Sequence, residues 1–278
     1  MTGPLVFKVG GELLETTDQR RKIAAFVAEI SPRRPIVVIH GGGRSIDAEL
    51  DRRGIAPHKV DGLRVTDAPT LDAVVSVLAG SANTSLVANL VGHGVPALGL
   101  TGVDAGFGRA ARAGAHRLTT GEVVDLGLVG DPSDVDPSLL ELLLVHGYVP
   151  VVASLAVDAA SGDGRGQVLN VNADVMACRV AAALAGSELV IAGTTPGVLD
   201  RASQPIAALD LDGLDRLVAE GTASEGMIAK LAACRDALTE GVASVRIIDG
   251  RALDASGDLD AVAGTMLVKA GVGATATR

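Results

Sequence analysis

Lys8 begins Lys8-Val9-Gly10-Gly11, Lys230 closes Glu225-Gly226-Met227-Ile228-Ala229-Lys230, and between them lies Asn170-Val171-Asn172-Ala173-Asp174. A third glycine cluster, His40-Gly41-Gly42-Gly43, follows a second apolar run. Two cations, two backbone loops open to an anion and one carboxylate are the parts needed to hold a polyphosphate and move its terminal phosphoryl group. That transfer asks little covalent chemistry of side chains. It is driven by positioning and by stabilising charge on the moving group.

Each part also has a plainer reading. Glycines after a strand let backbone N–H groups approach an anion closely, and a helix starting after Gly43 would add its dipole. The same clusters read equally as two tight turns. Neither is a GxGxxG or a GxxxxGK[ST], so dinucleotide-fold and P-loop readings find no support. Lys8 is the penultimate residue of an apolar strand, where an unpaired buried ammonium is costly. In a central strand it would emerge at the carboxyl end, where open α/β sheets bind ligands; in an edge strand it would be solvated. Asp174 and Asn172 suit a helix start by capping and dipole alone, or Asp174 orients the lysines and Asn170 binds substrate. Lys230 falls in the first turn of an expected helix, where its charge opposes the dipole and favours an anion nearby; an exposed lysine is the competing reading. Arg64, in Gly62-Leu63-Arg64-Val65-Thr66, suits a two-pronged carboxylate contact or a solvated hairpin tip. His40 reads as structural, and the other four histidines have no partner pattern. No HExxH, CxxC or nucleophile elbow is present, and no metal site built from protein side chains is expected.

The elements that must position these groups alternate β and α. Strands are expected at 5–9, 35–39, 96–100, 149–152, 189–192, 244–248 and 266–268. Helices are expected at 18–30, from a Ser45 cap to about 53, at 70–92 with a bend near Gly80-Ser81, at 137–145, from 170–174 to about 185, at 214–220 and at 227–238. A hairpin arm over 59–65 carries Arg64, residues 103–135 read as Gly-rich turns with short β pieces, and 161–166 is the clearest loop. The chain has 278 residues, 48% of them apolar, with no Trp, one Tyr and three Phe. Ala, Val, Leu and Ile must therefore build the core, and β-branched runs between Ala/Leu-rich helices point to a parallel sheet covered by helices. Formal charge is −9 and no basic run occurs, which with the lack of aromatics argues against nucleic-acid binding. Cys178 and Cys234 read as small buried hydrophobes. No signal sequence or uninterrupted membrane span is evident, so a cytoplasmic protein without a membrane partner is expected.

Taken together the chain resembles the acetylglutamate kinases of the amino acid kinase family, nearly end to end. The resemblance is carried by Lys8-Val9-Gly10-Gly11, His40-Gly41-Gly42-Gly43, Gly62-Leu63-Arg64-Val65-Thr66, Ala79-Gly80-Ser81-Ala82-Asn83, Asn170-Val171-Asn172-Ala173-Asp174 and Gly226-Met227-Ile228-Ala229-Lys230. Any one of these is weak; six in the family's order are specific. The resemblance implies a single domain of the carbamate kinase-like type, a three-layer αβα sandwich around a mostly parallel sheet. An N-terminal lobe (1–168) would take the amino acid and dimerise, and a C-terminal lobe (169–278) would take ATP. It implies transfer of the ATP γ-phosphoryl group to the side-chain carboxylate of N-acetyl-L-glutamate, a step of arginine biosynthesis. Lys8 and Lys230 would stabilise the moving group, Asp174 would hold them, and backbone N–H groups of Gly10, Gly11 and Gly43 would cradle its oxygens. Gly42, Gly43, Arg64 and Asn170 would bind the substrate, with Arg64 on its α-carboxylate. The nucleotide would lie over Thr194, Thr195, Pro196, Gly197, Val198, Leu199 and Thr222, Ala223, Ser224, with Mg²⁺ on its phosphates.

Two departures stand out. Gly193-Thr194 replaces a Thr/Ser-Asp pair common before the nucleotide loop, removing one carboxylate, and Glu225 replaces a glycine. The chain starts almost at its first strand, without the N-terminal helix of arginine-inhibited hexameric relatives, so a homodimer without arginine feedback is expected. A kinase of another acylated or carrier-bound acidic amino acid, and a ligand-binding relative without turnover, are the alternatives.

Overall fold

In chain order the computed structural model begins with β1 (Leu5–Val9), α1 (Thr17–Ile30), β2 (Ile36–His40), α2 (Gly43–Arg52), β3 (Lys59–Val60), β4 (Leu63–Arg64), α3 (Ala68–Val75), α4 (Asn83–Gly92) and β5 (Ala97–Thr101). It describes residues 3–60, 62–117, 121–160, 166–219 and 225–269. The middle holds β6 (Gly108–Arg112), β7 (Ala115–Arg117), β8 (Val123–Asp125), β9 (Val129–Val135), α5 (Ser138–Val145), β10 (Val149–Ala153), β11 (Leu155–Asp158) and β12 (Val168–Val171). The rest is α6 (Ala173–Ala183), β13 (Glu188–Gly193), β14 (Ala208–Asp210), α7 (Leu211–Ala219), α8 (Glu225–Thr239), β15 (Ser244–Asp249) and β16 (Gly264–Val268).

Eight strands form one sheet in the order β14-β16-β15-β13-β1-β2-β10-β5. Every pair is parallel except β15 with β16. The continuous burial of β1, β2 and β10 follows from helices on both faces. Alternation sends Leu5, Phe7 and Val9 to one face, against α1 and α4, and Val6 to the other, against α6 and α8. This is the expected three-layer αβα sandwich. Aliphatic side chains fill it almost alone; the one ring–ring contact among the described residues is Phe7 on Phe26, centroids 5.1 Å apart. Both cysteines are buried, as expected.

A second, closed sheet of β11-β12-β9-β6 stands beside the first, where the sequence reads mainly as turns. The stretch 68–92 is one helical run, apolar and long enough by composition to cross a membrane. It contains a π-helical segment, Ser76–Ala82, where the bend was expected, and Leu86 and Leu90 pack into the sheet's core. Two local expectations are corrected. Ser45 caps nothing, because α2 already starts at Gly43 with Gly42 as its cap. Asn170 belongs to β12 rather than to a helix start, and Asn172 is the cap. α1 is capped by Thr16, whose side chain forms a capping box with Gln19. The loop expected at 161–166 lies, apart from Gly166, outside the described residues.

Candidate active site

β1 is a central strand, and Lys8 lies one residue from its carboxyl end, paired in register with Ile191 and Ile39. On the face it shares with Val6, its ammonium meets the first turn of α6, with Nζ 2.8 Å from Asp174 Oδ1. α8 brings Lys230 Nζ to 3.6 Å from Asp174 Oδ2. Lys8 is 8% exposed, so the price of burying its charge is offset by this pairing rather than by water. Burial alone would push the Asp174 carboxyl up; the Lys8 ammonium, then that of Lys230, outweighs it and holds the group below the usual carboxylate range. Asn172 Oδ1 accepts from the N–H groups of Asp174 and Val175 at 2.8 and 3.2 Å, fixing the turn on which the carboxylate sits. Residues 8, 174 and 230 thus form one charge cluster at the strand ends.

Next to it opens a cavity of about 270 Å³, lined by Lys8, Gly11, Gly41, Gly42, Gly43, Arg64, Asn170 and Asp174 among others. Its two glycine loops touch: a Cβ on Gly11 would lie 2.9 Å from Gly42 Cα and 3.2 Å from the Gly43 nitrogen. Only glycine permits that approach. α2 starts here with no side-chain cap on its first N–H groups, so its amino end presents free donors to the cavity. On the far wall Arg64, also 8% exposed, donates through Nη2 to Asp47 Oδ1 at 2.6 Å and to the Gly43 carbonyl at 3.1 Å. Lys59 shares Asp47, 2.7 Å from Oδ2. Burial raises the Asp47 carboxyl, and hydrogen bonds from Lys59 and Arg64 more than reverse it. Arg64 Nη1 is buried without a partner among the described residues. Asn170 Nδ2 donates to Thr66 Oγ1 at 3.2 Å, which fixes the side chain at the cavity wall.

Behind the glycines lies a buried polar pair. His40 Nε2 is 3.0 Å from Asn83 Nδ2, and that amide also donates to the Val151 carbonyl. The Asn83 Nδ2 group can only donate, so Nε2 accepts, Nδ1 carries the proton and donates to the Gly41 carbonyl at 3.1 Å. His40 is thus a neutral support for the loop, and burial lowers its pKa to about 4. The unfolded chain takes up a proton near 6.5 and the folded chain near 4, so this contribution to stability is whole above 6.5 and is lost as pH falls towards 4. Between pH 7 and 4 the wild type should lose about 3 kcal/mol more than His40→Gln. Denaturant titrations of both proteins across that range check this; parallel curves would refute it.

The loop after β13 has its own supports. Val198 N–H donates to Thr265 Oγ1 at 2.8 Å, and the Val198 side chain is buried in the core. Arg251 Nη2 donates to the Thr194 carbonyl at 2.9 Å while Nε and Nη2 hold Asp249. Residues 194–199 therefore lie at the end of β13, next to Gly10, whose N–H donates to the Ala192 carbonyl. They do not line the cavity. Thr222, Ala223 and Ser224 lie outside the described residues. Sequence reasoning missed Asp47, an acidic residue on an amphipathic helix with no local mark. It also missed Thr66 and Asn83 as partners of Asn170 and His40, although both close motifs it singled out.

A parallel sheet that brings two lysines and a shared aspartate to a glycine-ringed cavity defines an enzyme of group transfer to or from phosphate. The chain belongs to the amino acid kinase family, whose profile matches residues 3–249. It is 42% identical over 217 residues to an acetylglutamate kinase of Aromatoleum aromaticum, covering 77% of this chain and 71% of the relative. It is 41% identical over 254 residues to that of Symbiobacterium thermophilum, covering 89% and 84%. Among solved structures it is similar to N-acetylglutamate synthase from Neisseria gonorrhoeae complexed with coenzyme A and N-acetyl-glutamate, with a TM-score of 0.81 and 25% identity. That match covers 97% of this chain and 60% of the synthase, so this chain spans about three-fifths of that protein's length.

Proposed function

We propose that this chain transfers the γ-phosphoryl group of ATP to the side-chain carboxylate of N-acetyl-L-glutamate, giving N-acetyl-L-glutamyl 5-phosphate and ADP in arginine biosynthesis. The observation that carries the reading is the Lys8–Asp174–Lys230 cluster beside a cavity whose Arg64 has a buried nitrogen to spare. The names of the relatives agree with it. The acceptor carboxylate is already ionised at neutral pH, so no general base is needed. Attack of one anion on another requires cations at the moving group; Lys8 and Lys230 supply them, and Asp174 keeps both in place. N–H groups of Gly11 and Gly43 cradle the phosphoryl oxygens; that of Gly10, expected from the sequence to join them, is already given to the Ala192 carbonyl. Arg64 takes the α-carboxylate, and Gly42, Gly43 and Asn170 complete the substrate's contacts. The nucleotide lies over 194–199 and 222–224, so residues 1–168 serve mainly the acid and 169–278 mainly ATP.

No three His, Cys, Asp or Glu side chains cluster as a metal site among the described residues. Mg²⁺ carried on the nucleotide phosphates would supply neutralising charge there. The test is Mg-ATP-dependent ADP release with N-acetyl-L-glutamate, N-succinyl-L-glutamate and free glutamate. Turnover with the acetyl compound alone is expected; turnover with only another acceptor, or with none despite ATP binding, overturns the assignment.

The same reading makes the protein a cytoplasmic homodimer. β5 is an open edge of the main sheet. Leu98 on it is 37% exposed; α4 packs against β5 and α5 against the neighbouring β10, and Val91 of α4, Leu142 and Val145 of α5, and Tyr148 are exposed too. An apolar open edge invites pairing with a second copy. Sedimentation should give a dimer, and Leu98→Lys should shift it towards monomer; a monomeric wild type sinks the idea.

A further inference from the structure

We infer that Glu12 is this chain's own carboxylate contact to the divalent cation that accompanies the nucleotide, an inference that rests on reading the site as a Mg-ATP kinase. Glu12 lies in the 3-10 turn Gly11–Leu14 directly after β1. Along β1, Val6 and Lys8 face α6, and Gly10 continues that set. The Glu12 carboxylate fills the room a side chain at Gly10 would take: a Cβ there would lie 2.5 and 2.8 Å from its two oxygens. On the neighbouring strand Gly193 follows Leu189 and Ile191 on the same face, and a Cβ on it would lie 3.6 Å from Oε1. Two absent side chains thus make space for one carboxylate across the ends of β1 and β13. It stands on the face that carries Lys8 and Asp174, beside Gly193, after which the loop at 194–199 begins.

The other carboxylates at these strand ends are already matched. Asp174 is shared by two lysines. Asp249, opposite Gly193 in register, is held by the guanidinium of Arg251. Glu12 is half-buried, and no hydrogen bond or ion pair ties it among the described residues. A fixed negative charge beside an arriving polyphosphate repels it unless a cation stands between them. A hard divalent ion bound by phosphate oxygens and a single carboxylate, directly or through water, meets that need.

The test compares wild type with Glu12→Gln and Glu12→Asp, reading binding rather than turnover. Affinity for the β,γ-imido analogue of ATP is measured by calorimetry with and without Mg²⁺, and Mn²⁺ binding to the analogue complex by electron paramagnetic resonance. Glu12→Gln should weaken Mn²⁺ binding about 10–100-fold and leave metal-free analogue binding equal or tighter. Glu12→Asp should fall between. A merely structural role would weaken metal-free and metal-bound binding alike. That result, or Mn²⁺ affinity within twofold of wild type, overturns the assignment while leaving the kinase reading intact. Failure of the wild type to bind the analogue at all would instead remove the nucleotide reading, and Glu12's role with it.

Discussion

Replacing Lys8 by alanine should lower kcat by roughly 10²-fold or more, and Lys230→Ala should do the same. Both ammonium groups converge on one carboxylate at the strand ends, so each is positioned before substrate arrives. Interactions made mainly in the transition state appear in kcat rather than in KM. Steady-state kinetics with N-acetyl-L-glutamate and Mg-ATP check this. A fall below about threefold for either variant removes that lysine from the mechanism, since one lost donor in a preorganised site costs far more.

The second large effect belongs to substrate binding. Arg64→Lys should raise KM for the acid by about 10–100-fold with kcat little changed, the mark of lost ground-state binding. A lysine can still reach one oxygen, but it has no planar fork to hold Asp47 and a substrate carboxylate together. Asp47 keeps Lys59 as a partner in the variant, so the loss should register on substrate more than on folding. A KM within threefold of wild type would show that Arg64 serves the α2 wall alone.

Much of this arrangement is legible before any coordinates. The apolar runs at β1, β2 and β10 have the length and β-branching of buried parallel strands, and each ends where glycine or a polar residue must. Lys8 is informative because a charge inside such a run demands a partner. Other parts carry weak local signals. β9 reads Val-Gly-Asp-Pro-Ser-Asp-Val, with Gly, Pro and two acids in seven residues, and its pairing with β6 breaks register beside Arg109. Its place in the closed sheet is set by partners far away in sequence, β6 and β12. Asp47 and Glu12 have no local mark either. What singles them out is a neighbour, Arg64 for one and the bare backbone of Gly10 and Gly193 for the other.

The central place of β1 has a consequence during synthesis. Leu5 pairs with Ile36 on one side and with Glu188 on the other. At roughly 5–20 residues per second the first partner is made within seconds, while the second edge stands open for roughly ten to thirty seconds more. An open apolar edge is a template for pairing with the wrong chain, and a lysine on it is a common deterrent. Lys8 is the sole charged residue in Leu-Val-Phe-Lys-Val. The nascent chain thus carries its own guard against misassembly, silenced only when Asp174 arrives, and a Lys8→Ala chain should refold in lower yield as its concentration rises.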